Sequence, residues 1–214
     1  MRPASGRPYN ARRLSPGGLQ NALAPSPRAF VPAPTAETVT AGSNRARKRV
    51  PGQTVGDSAA EMAHLVLPHQ ANVHGTVLGG TVMHWIDLAA AVVASRHSRR
   101  PVVTAAIDEM SFLVPIRVGQ LALLHARLTL VGRSSMEIRV DVDSEDLMSG
   151  ERRHTSTAFV TFVALDPATR RPVTAPPLVL SNDTERAEHA RALERRRQRL
   201  ARRAEAAPPA RART

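Results

Sequence analysis

The chain has 214 residues, enough for one domain with extensions rather than two full domains, and no cysteine, which excludes disulfides, thiolate metal sites and a cysteine nucleophile. A formal net charge of +12 ordinarily points to nucleic acid, but the charge is unevenly placed. Residues 1–55 hold 9 Lys/Arg against one acid, Glu37, and residues 183–214 hold 10 Arg against 5 acids, whereas residues 56–182 hold 11 Arg against 12 Asp/Glu. The globular part is nearly neutral, so no nucleic-acid partner is expected, and the basic tails read as a solvated fringe.

Residues 1–55 are rich in Pro, Ala, Arg, Ser and Gly without apolar periodicity, which predicts a disordered extension. The same composition suits an organellar transit peptide, the alternative to the expected cytoplasmic location. No apolar run has the length of a membrane span, so no stable membrane insertion is expected. The segment 56–182 reads as the folded domain. Within it, Met62–Leu67 predicts a strand ended by Pro68, and a Gly-rich turn runs from His74 to Gly80. Thr81–Ser95 has the length and alanine content of a helix, with Arg96, His97, Arg99 and Arg100 gathered where they suit its dipole. Strands are then predicted at Val102–Asp108, Phe112–Val114, Leu121–Val131, Met136–Val142 and Thr155–Leu165. One early helix followed by a meander of strands gives an α+β fold with an antiparallel sheet. From Asp183 to about Ala206, within the segment 183–214, the chain predicts a basic, mostly exposed tail helix to which no function is assigned.

Chemistry concentrates around the first helix. Between Val82 and Ala94 only His84 and Asp87 are strongly polar, which predicts a buried helix. A carboxylate is seldom buried without a partner, so Asp87 is paired, lies at a subunit seam or faces a cleft. Asn72 stands fifteen residues upstream and Gly79 eight. Glycines there permit positive φ and close approach of a ligand to the backbone. Free N–H groups at the start of the helix offer a site for developing negative charge, and a carboxylate two turns on could deprotonate water or attack a carbonyl. His84 shares a helical face with Asp87, and His74 lies in the turn. Neither is read as a metal ligand, and no metal or organic cofactor is expected.

His74-Gly75-Thr76-Val77-Leu78-Gly79-Gly80 followed by Asp87, Val103-Thr104-Ala105-Ala106-Ile107-Asp108, Ser135-Met136-Glu137-Ile138 and Thr157-Ala158-Phe159-Val160-Thr161-Phe162-Val163 occur in that order. Together they make Met62–Pro177 resemble the hot-dog-fold acyl-CoA thioester hydrolases, both the cytosolic, brain-type group and its single-domain bacterial relatives. The resemblance implies a long helix wrapped by a curved antiparallel sheet, with homodimers that assemble further as trimers of dimers. It implies hydrolysis of acyl-CoA to a free acid and coenzyme A at the dimer seam, with Asn72 from one unit, Asp87 from the other and the Gly79 N–H on the thioester carbonyl. Gly80, Val103 and Thr104 are expected along the pantetheine arm, and Arg133, Ser134 and Ser135 at the nucleotide phosphates. Relatives tend to carry Lys where Ser134 stands and a basic residue where His154 stands; Arg133, Arg152 or Arg153 are the candidate substitutes. Pocket depth is expected to depend on Met83, Trp85, Ile86 and Phe112. The competing readings are a hot-dog dehydratase or hydratase pairing His74 with Asp87, and a non-catalytic acyl-CoA sensor.

Overall fold

The computed structural model describes residues 51–205; the expected extension lies outside the described residues except at its end. That end is built into the fold. Gln53–Thr54 forms strand β1, and Val55–Ser58 forms a short helix, α1. A capping box starts α1: the Asp57 N–H donates to Thr54 Oγ1 and the Thr54 N–H to Asp57 Oδ2. Strand β2, Ala60–Leu65, begins and ends two residues earlier than expected, and Pro68–Gln70 forms a single 3₁₀ turn.

Helix α2 spans Gly79–Ser98, longer at both ends than its apolar core predicts. It ends where Arg99 takes the left-handed conformation (φ 52°) and its N–H donates to Ser95 O. Strands β3 (Val102–Ile107), β4 (Leu121–Val131), β5 (Ser135–Glu145) and β6 (Arg152–Ala164) follow. With β2 they form an antiparallel sheet in the order β2-β4-β5-β6-β3. The strand expected at Phe112–Val114 does not form; the only ladder-like bond there runs from the Leu113 N–H to Thr155 O. A two-residue strand β7, Leu178–Val179, pairs in parallel with β1.

The sheet curls around one side of α2. Val82, Trp85, Ile86, Ala89, Ala90, Val93 and Ala94 are buried against inward residues of the strands such as Leu124, Ile138, Val140 and Phe162. The expectation of a helix buried all round is corrected on its other side, where Met83, His84 and Leu88 are exposed in the single chain. His97, expected merely to complement the helix dipole, is fully buried, its Nε2–H donating to Pro176 O at 2.9 Å. Burial lowers its pKa against the opposing effects of that bond and of Asp57, so the neutral ring is favoured.

Helix α3, Asp183–Glu205, is not a free tail. It lies on the outer face of the sheet and is held by charge. Buried Glu137 on β5 receives Arg195 Nη2 at 2.7 Å on Oε1, and Arg199 Nη2 stands 2.7 Å from Oε2, attractive though not aligned as a hydrogen bond. Arg199 also bridges to Asp108 just beyond β3 at 2.6 Å. Glu188 takes both Arg127 and Arg139, and the Arg195 guanidinium lies 3.7 Å from the centroid of the Phe159 ring. Apolar periodicity does not reveal such a docking because only Ala192 of α3 is buried.

Candidate active site

Asn72 opens a tight turn that places the start of α2. Its N–H donates to Thr76 O at 2.8 Å, and its Oδ1 accepts from the His74 N–H at 2.9 Å and the Thr76 N–H at 3.3 Å. Gly75, at φ 71°, is the turn residue that needs glycine. Gly79 and Gly80 do not adopt positive φ as expected; they form the first turn of α2, and both are exposed. A Cβ at position 79 would make ordinary van der Waals contact with the Phe112 ring, at 3.4 Å, and that ring covers this end of the helix. Leu78 supplies no side-chain cap. Gly79, at the start of the helix, lines an apolar cleft of about 220 Å³ together with Val77, Val82, Phe112 and Ile116.

Asp87 is half-buried on α2, about two turns beyond Gly79. Its Oδ1 accepts from Thr104 Oγ1 at 2.7 Å, a bond between the helix and the edge strand β3. Thr104, expected against the pantetheine arm, therefore acts first on the carboxylate. Its pairing opposite Phe162, a core residue, turns its side chain inward toward α2. Within one chain Asn72 and Asp87 share no hydrogen bond among the described residues. His74 contributes its backbone N–H to Asn72 and makes no hydrogen bond to Asp87 within the chain. Among the described residues no group of three or more His, Cys, Asp or Glu could hold a metal.

The expected coenzyme A contacts separate into two sets. Arg133, Ser134 and Ser135 form the turn between β4 and β5, closed by the Gly132 N–H on Ser135 O at 2.7 Å, with Arg133 exposed. Arg152 and Arg153 lie far from that turn within one chain. Arg152 pairs with Glu145 at the opposite end of the β5–β6 ladder, roughly 30 Å along the strand. Arg152 bonds Glu145, Arg153 bonds Glu151, and His154 Nδ1 lies 2.9 Å from Asp143. Val103 is exposed on the unpaired edge of β3, and Gly80 has no atom within 4 Å of where a side chain would begin. The sequence alone misses the Thr104–Asp87 bond. The available signal is a single hydroxyl in an otherwise apolar strand, Val102–Ile107.

The helix and the curled antiparallel sheet define the hot-dog fold, and comparison with known proteins gives the family. Residues 74–151 match the family model of the thioesterase superfamily. Over 134 residues the chain is 42% identical to the uncharacterized acyl-CoA thioester hydrolase YkhA of Bacillus subtilis, covering 63% of this chain and 77% of that one. It superposes on an acyl-CoA hydrolase from Staphylococcus aureus, solved with butyryl coenzyme A and coenzyme A, with TM-score 0.68 and 34% identity, covering 72% and 94% of the two chains. That enzyme has also been solved with an aspartate, a threonine or an asparagine replaced by alanine. A hexameric acyl-CoA thioesterase matches with TM-score 0.69 and 35% identity, over 72% and 99% of the chains. The match spans only 35% of the longer cytosolic acyl coenzyme A thioester hydrolase of Rattus norvegicus. The chain belongs to the hot-dog acyl-CoA thioester hydrolases.

Proposed function

We propose that this protein hydrolyses acyl-CoA to a carboxylic acid and coenzyme A, with Asp87 as the catalytic carboxylate and Thr104 as the residue that orients it. The observation that carries the reading is the 2.7 Å bond from Thr104 Oγ1 to Asp87 Oδ1. With Oδ1 so engaged, Oδ2 is the oxygen left to act. A matching spacing supports the same residues. The asparagine, aspartate and threonine substituted in the Staphylococcus aureus enzyme are separated by fifteen and seventeen residues, as are Asn72, Asp87 and Thr104.

In the proposed reaction the thioester carbonyl oxygen rests on the Gly79 N–H at the positive end of α2, and the acyl chain enters the cleft beneath Phe112. Asn72 of the partner subunit positions the water or carbonyl. Oxygen bonds to the carbonyl carbon, the C–S bond breaks, and the thiolate takes up a proton. Asp87 acts either as base toward water or as nucleophile. Single turnover in ¹⁸O-water bears on this, because label in Asp87 arises only from the nucleophilic route with water attacking the aspartyl carbonyl of the anhydride.

A subunit seam is also supported by what the single chain leaves uncovered. The apolar residues Met83 and Leu88 on α2 and Val103 on the unpaired edge of β3 are all at least 40% exposed. A homodimer joined there, three of which make a hexamer, is the proposed assembly. Light scattering on the purified protein tests it, a monomer being the contrary result. The enzymatic test is thiol release from acyl-CoA by the wild type and by Asp87→Ala. Turnover by the wild type alone is expected, and near-normal turnover by the variant would overturn the proposal.

A further inference from the structure

The outer face of the sheet carries a groove that the chemistry above does not use. It holds about 550 Å³ between α3 and the edge strand β3, with Ala106, Leu130 and Val163 along its floor and Arg196, Arg202 and Arg203 along its wall. Strand register explains how β3 borders both this groove and the Asp87 site. Thr104 lies opposite the core residue Phe162, whereas Ala106 lies opposite Thr161, which lines the groove. Simple alternation would put Thr104 and Ala106 on one face. The irregularity between them turns them to opposite faces of the same strand.

The cations of the groove are of two kinds. Arg199 is committed to Glu137 and Asp108, and with Arg195 on Glu137 the two arginines offset the charge of those two acids. Arg196, Arg202 and Arg203 make no ion pair among the described residues, and Glu109 is the remaining acid at the rim. Arg196 is also held against the Gly132–Ser135 turn. A Cβ on Gly132 would lie 3.1 Å from Arg196 Nη1 and 2.9 Å from Ser135 Oγ. The turn thus brings a guanidinium and a hydroxyl together where any side chain at 132 would intrude. An unpaired guanidinium beside a hydroxyl matches a phosphate, and the apolar floor matches the face of a nucleobase.

Resting on the assignment of Asp87 as the hydrolytic site, we infer that Arg196, Arg202 and Arg203, with Ser135, bind the nucleotide phosphates of acyl-CoA. The nucleotide lies in the α3 groove, and the thioester arm follows β3 to Asp87. The cations expected from Arg152 or Arg153 at the far end of the sheet are supplied by α3 instead.

The test compares butyryl-CoA with butyryl-pantetheine, which lacks the nucleotide, for the wild type, for R196A/R202A/R203A, and for R197A as a control. Arg197 pairs with Glu194 on the same helix and does not line the groove. The triple variant is expected to raise KM for butyryl-CoA by about tenfold or more, with kcat and butyryl-pantetheine turnover changed by less than about twofold. R197A is expected to leave all of these unchanged. An unaltered KM for butyryl-CoA would overturn the proposal, as would an equal loss on both substrates, which would mark α3 as structural. If the wild type released no thiol from butyryl-CoA, the hydrolytic assignment would fail instead. Calorimetry with adenosine 3′,5′-bisphosphate then decides the groove independently. Binding by the wild type that the triple variant loses supports the groove. Binding of RNA or anionic vesicles without the bisphosphate contradicts it.

Discussion

Helices α2 and α3 are of similar length, 20 and 23 residues, yet they are held by opposite means. Helix α2 buries Val82, Trp85, Ile86 and Val93 almost completely, each stabilising the fold by about 1.5–3 kcal/mol. Helix α3 buries one alanine and is fastened by arginine–carboxylate contacts to Glu137, Asp108, Asp141-linked Arg127 and Arg139. The apolar helix carries Asp87, the proposed catalytic carboxylate, on the side the sheet leaves open. The charged helix carries cations beyond those its docking uses. Apolar packing seats the first helix, and ion pairs at a surface fasten the second.

Substitutions should separate the two helices. Asp87→Ala is expected to lower kcat by about 10²–10⁴-fold, the range for removing a positioned acid or base, while circular dichroism and melting temperature stay close to wild type. Ile86→Ala, on the buried side of the same helix, is expected to cost about 2–5 kcal/mol in denaturant unfolding through the cavity it opens. Glu137→Gln should cost less, about 1.5–3 kcal/mol, by removing the charge shared by Arg195 and Arg199. Hydrogen exchange should then show α3 amides exchanging faster with α2 amides little changed, and added salt should have the same asymmetric effect on the wild type. Thr104→Val should reduce kcat by about tenfold with KM changed by less than about twofold, whereas Thr104→Ser should restore kcat.

The smallest expected effect depends on pH. His97 and His64 both have pKa values lowered below 6.5 by burial, for His64 with the added charge of His84. In the window between the folded values and 6.5, the unfolded chain binds more protons than the native one. Their contribution to stability is therefore complete above about pH 6.5 and is lost as pH falls below it. Thermal melts from pH 7.5 to 5.5 should show this decline, and His97→Gln should make it shallower.

What the sequence makes legible follows the same division. Apolar alternation predicts β4 to the residue and β5 and β6 to within three residues at each end, because each strand buries one face. The same signal misleads at Phe112–Val114, where the bulky side chains cover the cleft at Gly79 instead of joining a ladder. The docking of α3 is invisible to periodicity because charge pairs fasten it. Asp87 stands out as a lone acid in an apolar helix. Thr104 does not, since its hydroxyl reaches Asp87 only through the register of β3 and the irregularity that follows it. Asn72 offers no local sign of chemistry. Within the chain its side chain is engaged in its own turn, and its expected role rests on a second subunit.

That division of the site between subunits is most directly tested by mixing Asn72→Ala with Asp87→Ala protein after dissociation and reassembly. Each variant alone should be nearly inactive. A mixed dimer would contain one intact site, Asp87 from the first variant facing Asn72 from the second, and one site lacking both. With random pairing, thiol release should return to about a quarter of the wild-type rate. A mixture no more active than its separate components, with mixed dimers demonstrably formed, would contradict a site shared by Asn72 and Asp87 across the seam.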